Sequence, residues 1–304
     1  MEEASVLIVG AGPAGLATAA CLSKFSIPYV IVERESCSAS LWRNRSYDRL
    51  KLHLAKEFCE LPHMSYPVDA PTYIPKNQFV KYLDDYIERF SMQPKYLTVV
   101  ESSTYDIKHN CWSIIARDME KCTIVDYKAK FLVVASGENS EENIPVIPGL
   151  ENFPGVTIHS SEYKSGISYS GKNVLVVGSG NSGMEIAYDL ASHGANTSIV
   201  IRSPVQPRIT LVKGRIIEFE GGNQGSFDAI VFATGYKSTA NRWIKNGEDM
   251  LNNDGLPKKE FPNHWKGANG LYCAGFARRG LAGIALDAKN IANDIKSIID
   301  SMSS

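Results

Sequence analysis

The sequence has six cysteines but no Cys-x-x-Cys pair, and six histidines but no His-x-x-x-His or His-Cys cluster. The first absence removes the dithiol that a disulfide reductase on a two-nucleotide scaffold would use. The second leaves a metal without a ligand set, so none is expected. Cys21, Cys37, Cys59, Cys111, Cys122 and Cys273 are scattered as the reduced structural thiols of a cytoplasmic protein are. There is no charge run, and the formal net charge of -1 gives neither nucleic acid nor anionic lipid a reason to bind. Low-complexity tracts are absent too. The one long apolar segment, Val6 to Leu22, follows Glu2 and Glu3 rather than basic residues, and Gly10, Gly12, Pro13 and Gly15 interrupt it. It reads as neither a signal peptide nor a membrane span.

What is present is the composition of a globular enzyme, 44% apolar and 21% charged over 304 residues, and a motif used twice. The first copy is GAGPAG, Gly10 to Gly15, between the apolar run Val6–Val9 and a helical pattern carrying Leu16, Ala19, Ala20 and Leu22. A second run, Tyr29 to Val32, ends in Glu33. This is the strand–turn–helix–strand context of a dinucleotide site. Gly10 permits the tight turn, Gly12 lets the pyrophosphate approach, and Gly15 lets helix and strand pack closely, with Pro13 and Ala14 between them. The helix N-terminus offers N–H groups and partial positive charge to phosphate. A carboxylate at Glu33 accepts from ribose hydroxyls and repels a 2′-phosphate, so FAD or NAD is expected here.

The second copy is GSGNSG, Gly178 to Gly183, after the strand Asn173–Val177 and before a helix over Met184–Ala191. Gly178, Gly180, Asn181, Ser182 and Gly183 are its cofactor-binding candidates. The following strand, Thr197 to Ile201, ends in Arg202-Ser203 rather than in an acid. A guanidinium and a hydroxyl there suit a 2′-phosphate, so NADPH is expected. One nucleotide then stays and carries redox equivalents, while the other delivers a hydride and leaves. A flavin is the natural resident.

Small residues after three further apolar strands mark places where a backbone or cofactor comes close. They are Ala135-Ser136-Gly137 after Lys130–Val134, Ala233-Thr234-Gly235-Tyr236 after Phe227–Phe232, and Gly275-Phe276 after Leu271–Ala274. Thr234, Gly235, Gly275 and Gly283 are therefore added as cofactor-binding candidates. A helix opening near Gly280–Gly283 places Ile284, Leu286, Ile291, Ile295 and Ile298 as candidate core positions.

Between the two fingerprints, Phe153 to Tyr163 fits Phe-x-Gly-x-x-x-His-x-x-x-Tyr, the motif by which the chain is identified as resembling class B flavin-containing monooxygenases. SYDRLKLHLAKEFCELPH, GSGNSGMEIAYDL and FDAIVFATGYKST resemble the plant YUCCA flavin monooxygenases, and the likeness runs through nearly the whole chain. The resemblance implies FAD, NADPH and O₂. It also implies a small-molecule α-keto acid substrate, indole-3-pyruvate, decarboxylated oxidatively to the auxin indole-3-acetic acid through a C4a-(hydro)peroxyflavin. It sets Trp42 and Arg43 on the Leu-Trp-Arg element near the flavin, where the usual Gly-Gly before it is Ala39-Ser40. It sets His53, the catalytic candidate, where many relatives have an Asn beside the flavin; a packed or surface histidine is the rival reading. His159 and Tyr163 are read as stabilising the linker between domains.

The fold implied is α/β, with two dinucleotide-binding Rossmann-like three-layer domains. The FAD domain is discontinuous, 1–165 and 227–304, with a shortened NADPH domain, 166–226, inserted. The resemblance also implies a stretch after Val205 that this chain lacks, leaving about 55 residues from Gly171 to Ser226, near the size where independent folding is marginal. The alternative reading is therefore a shortened FAD-binding isoform with weak or uncoupled NADPH oxidase activity.

Overall fold

A computed structural model describes residues 2–201, 208–245, 247 and 249–303. In chain order its elements begin with β1 (Glu2–Val9), α1 (Pro13–Lys24), β2 (Tyr29–Val32), α2 (Ser40–Asn44), α3 (Lys76–Arg89), β3 (Thr98–Asp106), β4 (Cys111–Asp118) and β5 (Thr123–Val134). There follow β6 (Glu141–Glu142), β7 (Val156–His159), β8 (Asn173–Val177), α4 (Asn181–Ser192), β9 (Asn196–Val200), β10 (Ile209–Lys213), β11 (Ile216–Phe219) and β12 (Gln224–Ser226). The last are β13 (Ala229–Phe232), β14 (Tyr236–Lys237), β15 (Leu271–Cys273) and α5 (Gly280–Ser303). The chain forms two compact units. One is Met1–Trp42, Lys51–Glu141 and Lys237–Ser304; the other is Arg43–Leu50 and Glu142–Tyr236.

In the first unit the sheet runs β2-β1-β5-β4-β3, with β15 also on β5. The length of β5 allows this. Its first half pairs antiparallel with β4, from Asp118↔Thr123 to Trp112↔Ala129. Its end pairs parallel with β15, from Leu271↔Leu132 to Cys273↔Val134. Strand period two sorts the side chains. Val6, Ile8, Phe131 and Val133 share a core with Leu16, Ala17 and Ala20 of α1 and Ile291 and Ile295 of α5. Leu7, Val9, Leu132 and Val134 point to the opposite face and join Trp112, Trp243 and Leu251. Burial on both faces is what an uninterrupted apolar run in a parallel strand requires.

The second unit is a four-stranded parallel sheet, β7-β13-β8-β9. Val174, Val176 and Val231 pack on Ile186 and Leu190 of α4. Leu175, Ile230 and Phe232 face the other way, onto Val212 and Ile217 of the antiparallel ribbon β10-β11-β12. Here the structure corrects the expected boundaries. β13, placed by sequence with the first domain, lies between β7 and β8, and β7 also belongs to this sheet. The reason is burial: two strands and one helix would leave Val174–Val176 exposed on an edge, and β13 covers it with four buried residues.

On α5, Ile291 and Ile295 are buried as expected, but Leu286 is 39% exposed. Ala288, Ile291, Ala292 and Ile295 recur at helical spacing on one face, and Leu286 falls off that stripe. No helix among the described residues is long and apolar enough to cross a membrane.

Candidate functional site

Each unit carries one fingerprint, and the two are built alike. At the first, Gly10 has φ +114 and donates its N–H to Val32 O at 2.8 Å. At the second, Gly178 has φ +115 and donates to Val200 O at 2.8 Å. Both turns ride tightly on the next parallel strand. A Cβ on Gly10 would fall closer than 3.0 Å to Ala135 O, and one on Gly178 closer than 3.0 Å to Ala233 O. The third glycines do the same inside the turn, since a Cβ on Gly15 would strike Gly10 O and one on Gly183 would strike Gly178 O.

The middle glycines differ. A Cβ on Gly12 or on Gly180 meets nothing within 4 Å. These are the N-caps of α1 and α4, no side chain caps either helix, and neither first turn contains an acid. Uncapped first-turn amides beside open space form a cradle for phosphate. Pro13, Ala14 and Gly15 lie in the first turn of α1, and Asn181, Ser182 and Gly183 in that of α4.

Glu33 is 7% exposed. Its Oε2 accepts from Ala11 N at 2.7 Å and its Oε1 from Glu35 N at 3.0 Å. Burial pushes the carboxyl above its ordinary range, opposed by those two amides. The acid thus ties the fingerprint turn to the end of β2 before any ribose is considered. Ser136, two residues after β5, carries a buried hydroxyl with no hydrogen-bond partner among the described residues. It lies beside Gly10, and such an orphan beside the fingerprint turn fits a ligand group.

The Leu-Trp-Arg element approaches the same turn. Ala39 is 2% exposed, holds φ +50 and donates its N–H to Ala11 O at 3.0 Å. The left-handed conformation is one that glycine adopts without strain, and alanine is held in it here. Trp42 packs edge-on to Phe79 at 4.6 Å. His53 lies exposed one residue after buried Leu52. Gly275, with φ +83, follows β15, while Gly283 lies inside the first turn of α5, which already begins at Gly280.

In the second unit Arg202 and Ser203 lie outside the described residues. Thr234 and Gly235 follow β13. Thr234 Oγ1 donates to Asn143 O at 2.5 Å, and Gly235 O accepts from Asn143 N at 3.0 Å. His159 and Tyr163, expected at a linker between domains, find these partners inside this unit. His159 is fully buried, with Nε2 3.0 Å from Gly235 O. Burial lowers its pKa, so a neutral ring with Nε2–H donating to that carbonyl fits. Tyr163 donates to Asp189 Oδ2 at 2.6 Å, and the same oxygen accepts from Gly166 N at 2.8 Å.

Sequence reasoning passed over two features of this site. Segment Arg43–Leu50 belongs to the second unit although the chain on both sides belongs to the first. From it Tyr47, 3% exposed, donates at 2.7 Å to Oε2 of Glu185, on the helix that opens with the second fingerprint. Asp189, on α4, is the other; it lies 3.4 Å from Arg49 Nη1. The buried face of a helix that also carries an acid was the available signal, since a buried carboxylate must find donors.

Compared with known proteins, the chain is 42% identical over 376 aligned positions to "Probable indole-3-pyruvate monooxygenase YUCCA10" of Arabidopsis thaliana, covering 98% of each chain. The chain belongs to the YUCCA-type flavin-containing monooxygenases. "Indole-3-pyruvate monooxygenase YUCCA1" of rice is 36% identical, over 95% of this chain and 90% of that one. Residues 7–216 match the family model described as pyridine nucleotide-disulphide oxidoreductase. An alignment of 376 positions against 304 residues means that the Arabidopsis relative carries sequence this YUCCA-type chain lacks. Among solved structures, a flavin-containing monooxygenase from Stenotrophomonas maltophilia has a TM-score of 0.85 at 18% identity, covering 98% of this chain and all of that one. A bacillithiol disulfide reductase from Bacillus cereus has a TM-score of 0.83 at 20% identity, with the same coverage. These two share the fold.

Proposed function

We propose that this YUCCA-type chain is an FAD- and NADPH-dependent monooxygenase that converts indole-3-pyruvate to indole-3-acetic acid, acting in the cytoplasm. FAD is assigned to the first unit and NADPH to the second. The observation that carries this reading is the pair of uncapped, glycine-lined helix N-termini, each beside open space at its middle glycine, in a chain 42% identical to a probable indole-3-pyruvate monooxygenase. FAD, when bound, supplies a ring that accepts hydride and then reacts with O₂.

The residues would share the work as follows. Gly10, Gly12, Pro13, Ala14 and Gly15 hold the FAD pyrophosphate, and Glu33 sets the ribose end of the site. Ser136, Gly275 and Gly283 border it, with Trp42 toward the ring. Gly178, Gly180, Asn181, Ser182 and Gly183 hold the NADPH pyrophosphate. Arg202 and Ser203 read its 2′-phosphate, and Thr234 and Gly235 border the cradle. His53 is the candidate donor to the reacting oxygen. Positioning and exclusion of water dominate such chemistry.

The test is spectroscopic. Purified protein should be yellow, bleach with NADPH under argon, and release indole-3-acetic acid when air and indole-3-pyruvate are admitted. A colourless protein, or a flavin that NADPH leaves oxidised, overturns the assignment. One observation favours a second reading, an uncoupled NADPH oxidase: the Arabidopsis relative has sequence that this chain lacks. That reading expects hydrogen peroxide in equal amount to NADPH consumed and no acid product. Against it stands the compact Stenotrophomonas enzyme, whose whole length the chain covers.

A further inference from the structure

A buried imidazole and carboxylate that the proposed chemistry does not use lie near the carboxyl edge of the first unit's sheet. Asp287, on α5, is fully buried and His264 is 3% exposed. Asp287 Oδ1 stands 2.9 Å from His264 Nε2. The approach is off the ring N–H direction, and neither nitrogen of His264 has a well-formed hydrogen bond among the described residues. The other carboxylate oxygen, Oδ2, accepts Gly275 N–H at 2.9 Å, and the neighbouring Phe276 amide favours the ionised carboxylate. Burial raises the carboxyl's pKa, opposed by those amides and by His264. Buried polar or ionic pairs add little net stability compared with apolar side chains of equal volume. Stability alone therefore does not account for an imidazole and a carboxylate here.

What the pair holds is the turn Gly275–Phe276. β1, β5 and β15 are parallel neighbours, and Ala135 N–H to Val9 O and Ala274 N–H to Val134 O, both 2.9 Å, carry the ladder to their ends. Gly10, Ser136 and Gly275 therefore emerge side by side at the edge where ligands bind in open α/β sheets. Gly275 has φ +83, and a Cβ there would come within 2.8 Å of Ala14 Cβ, in the first turn of α1. The turn rests on the fingerprint helix itself.

We propose that Asp287, with His264 beside it, is a positioning residue for the first dinucleotide site. It fixes Gly275–Phe276 against α1, so that the edge formed by Gly10, Ser136 and Gly275 is set before FAD arrives. The proposal rests on reading the first unit as the flavin unit. A backbone N–H donated to a buried carboxylate restrains the left-handed turn. Preorganisation of that kind appears as affinity.

The test uses the full chain as purified apoprotein, titrated with FAD by quenching of flavin fluorescence, together with the visible circular dichroism of bound flavin at saturation. Asp287→Ala should weaken FAD binding at least ~10-fold and alter the flavin dichroism. Asp287→Asn, which keeps an acceptor oxygen for Gly275 N–H, should restore most of the affinity. His264→Leu, which removes the imidazole beside Asp287, should weaken binding with a wild-type far-ultraviolet spectrum. If Asp287→Ala does not fold, His264→Leu and Asp287→Asn carry the test. Unchanged affinity and flavin dichroism in the folded variants overturn the proposal, as does a lower melting temperature with both quantities unchanged. A wild-type protein that binds no FAD overturns the flavin reading and this proposal with it.

Discussion

Replacing Gly12 and Gly15 separately by Ala divides binding from folding at one turn. Gly12 has φ -76 and ψ 179, a conformation alanine adopts freely, and its new methyl meets no protein atom within 4 Å. The apoprotein should be unchanged or gain about 0.4–1 kcal/mol, because the unfolded chain loses freedom. A pyrophosphate lying against that backbone would meet the methyl, and we expect FAD to bind at least ~10-fold more weakly, about 1.4 kcal/mol. Gly15 is the opposite case. Its methyl would fall closer than 3.0 Å to Gly10 O, with Gly10 C at 3.1 Å and Ile8 Cγ2 at 3.3 Å. Backbone atoms cannot rotate aside, so α1 must lift from β1, and overpacking of this kind costs about 1–3 kcal/mol. In a chain of this size each kcal/mol lowers the melting temperature by roughly 2–4 °C. Calorimetric melts of the apoproteins and fluorescence titrations with FAD measure the two effects. The reasoning is refuted if Gly12→Ala binds FAD like the wild type, or if Gly15→Ala melts with it.

Three further outcomes are expected. Asp189→Ala strips the acceptor from Tyr163 Oη and Gly166 N, and should cost the second unit about 2–4 kcal/mol in urea unfolding; a loss below about 0.5 kcal/mol would contradict the buried hub. Tyr47→Phe removes the bond to Glu185 for about 1 kcal/mol and should raise the KM for NADPH more than it lowers kcat; an unchanged KM would detach Tyr47 from the second fingerprint. Because burial raises the Glu33 carboxyl, the folded protein holds that proton more tightly than the unfolded chain does. Relative to Glu33→Gln, apoprotein stability should be greatest below the ordinary value of 4.5 and decline as pH rises above it; denaturant midpoints across pH check the sign, and the opposite slope would refute it.

Much of each site was legible because its determinants are short-range. The strands Tyr29–Val32 and Asn173–Val177 fall where the apolar runs put them. The φ values of Gly10 and Gly178 are what a tight turn between strand and helix demands. Less legible were the ends of elements: β5 begins at Thr123, well before the apolar run at Lys130, because its first half is an alternating, one-face-buried strand paired with β4. Leu286 was misread since one apolar residue on a helix says nothing about which stripe is covered.

By itself, then, the order of residues determined two strand–turn–helix cradles, the acid after the first and the arginine and serine after the second. It did so because turn stereochemistry and apolar spacing act over a handful of neighbours. Only the tertiary structure decided which strands complete each sheet, that Arg43–Leu50 joins the second unit, and that Asp189, Tyr47 and the His264–Asp287 pair find their partners. Those choices depend on burying edges and satisfying polar groups among segments far apart in the chain, as from Tyr47 to Glu185, and no local pattern encodes the distance.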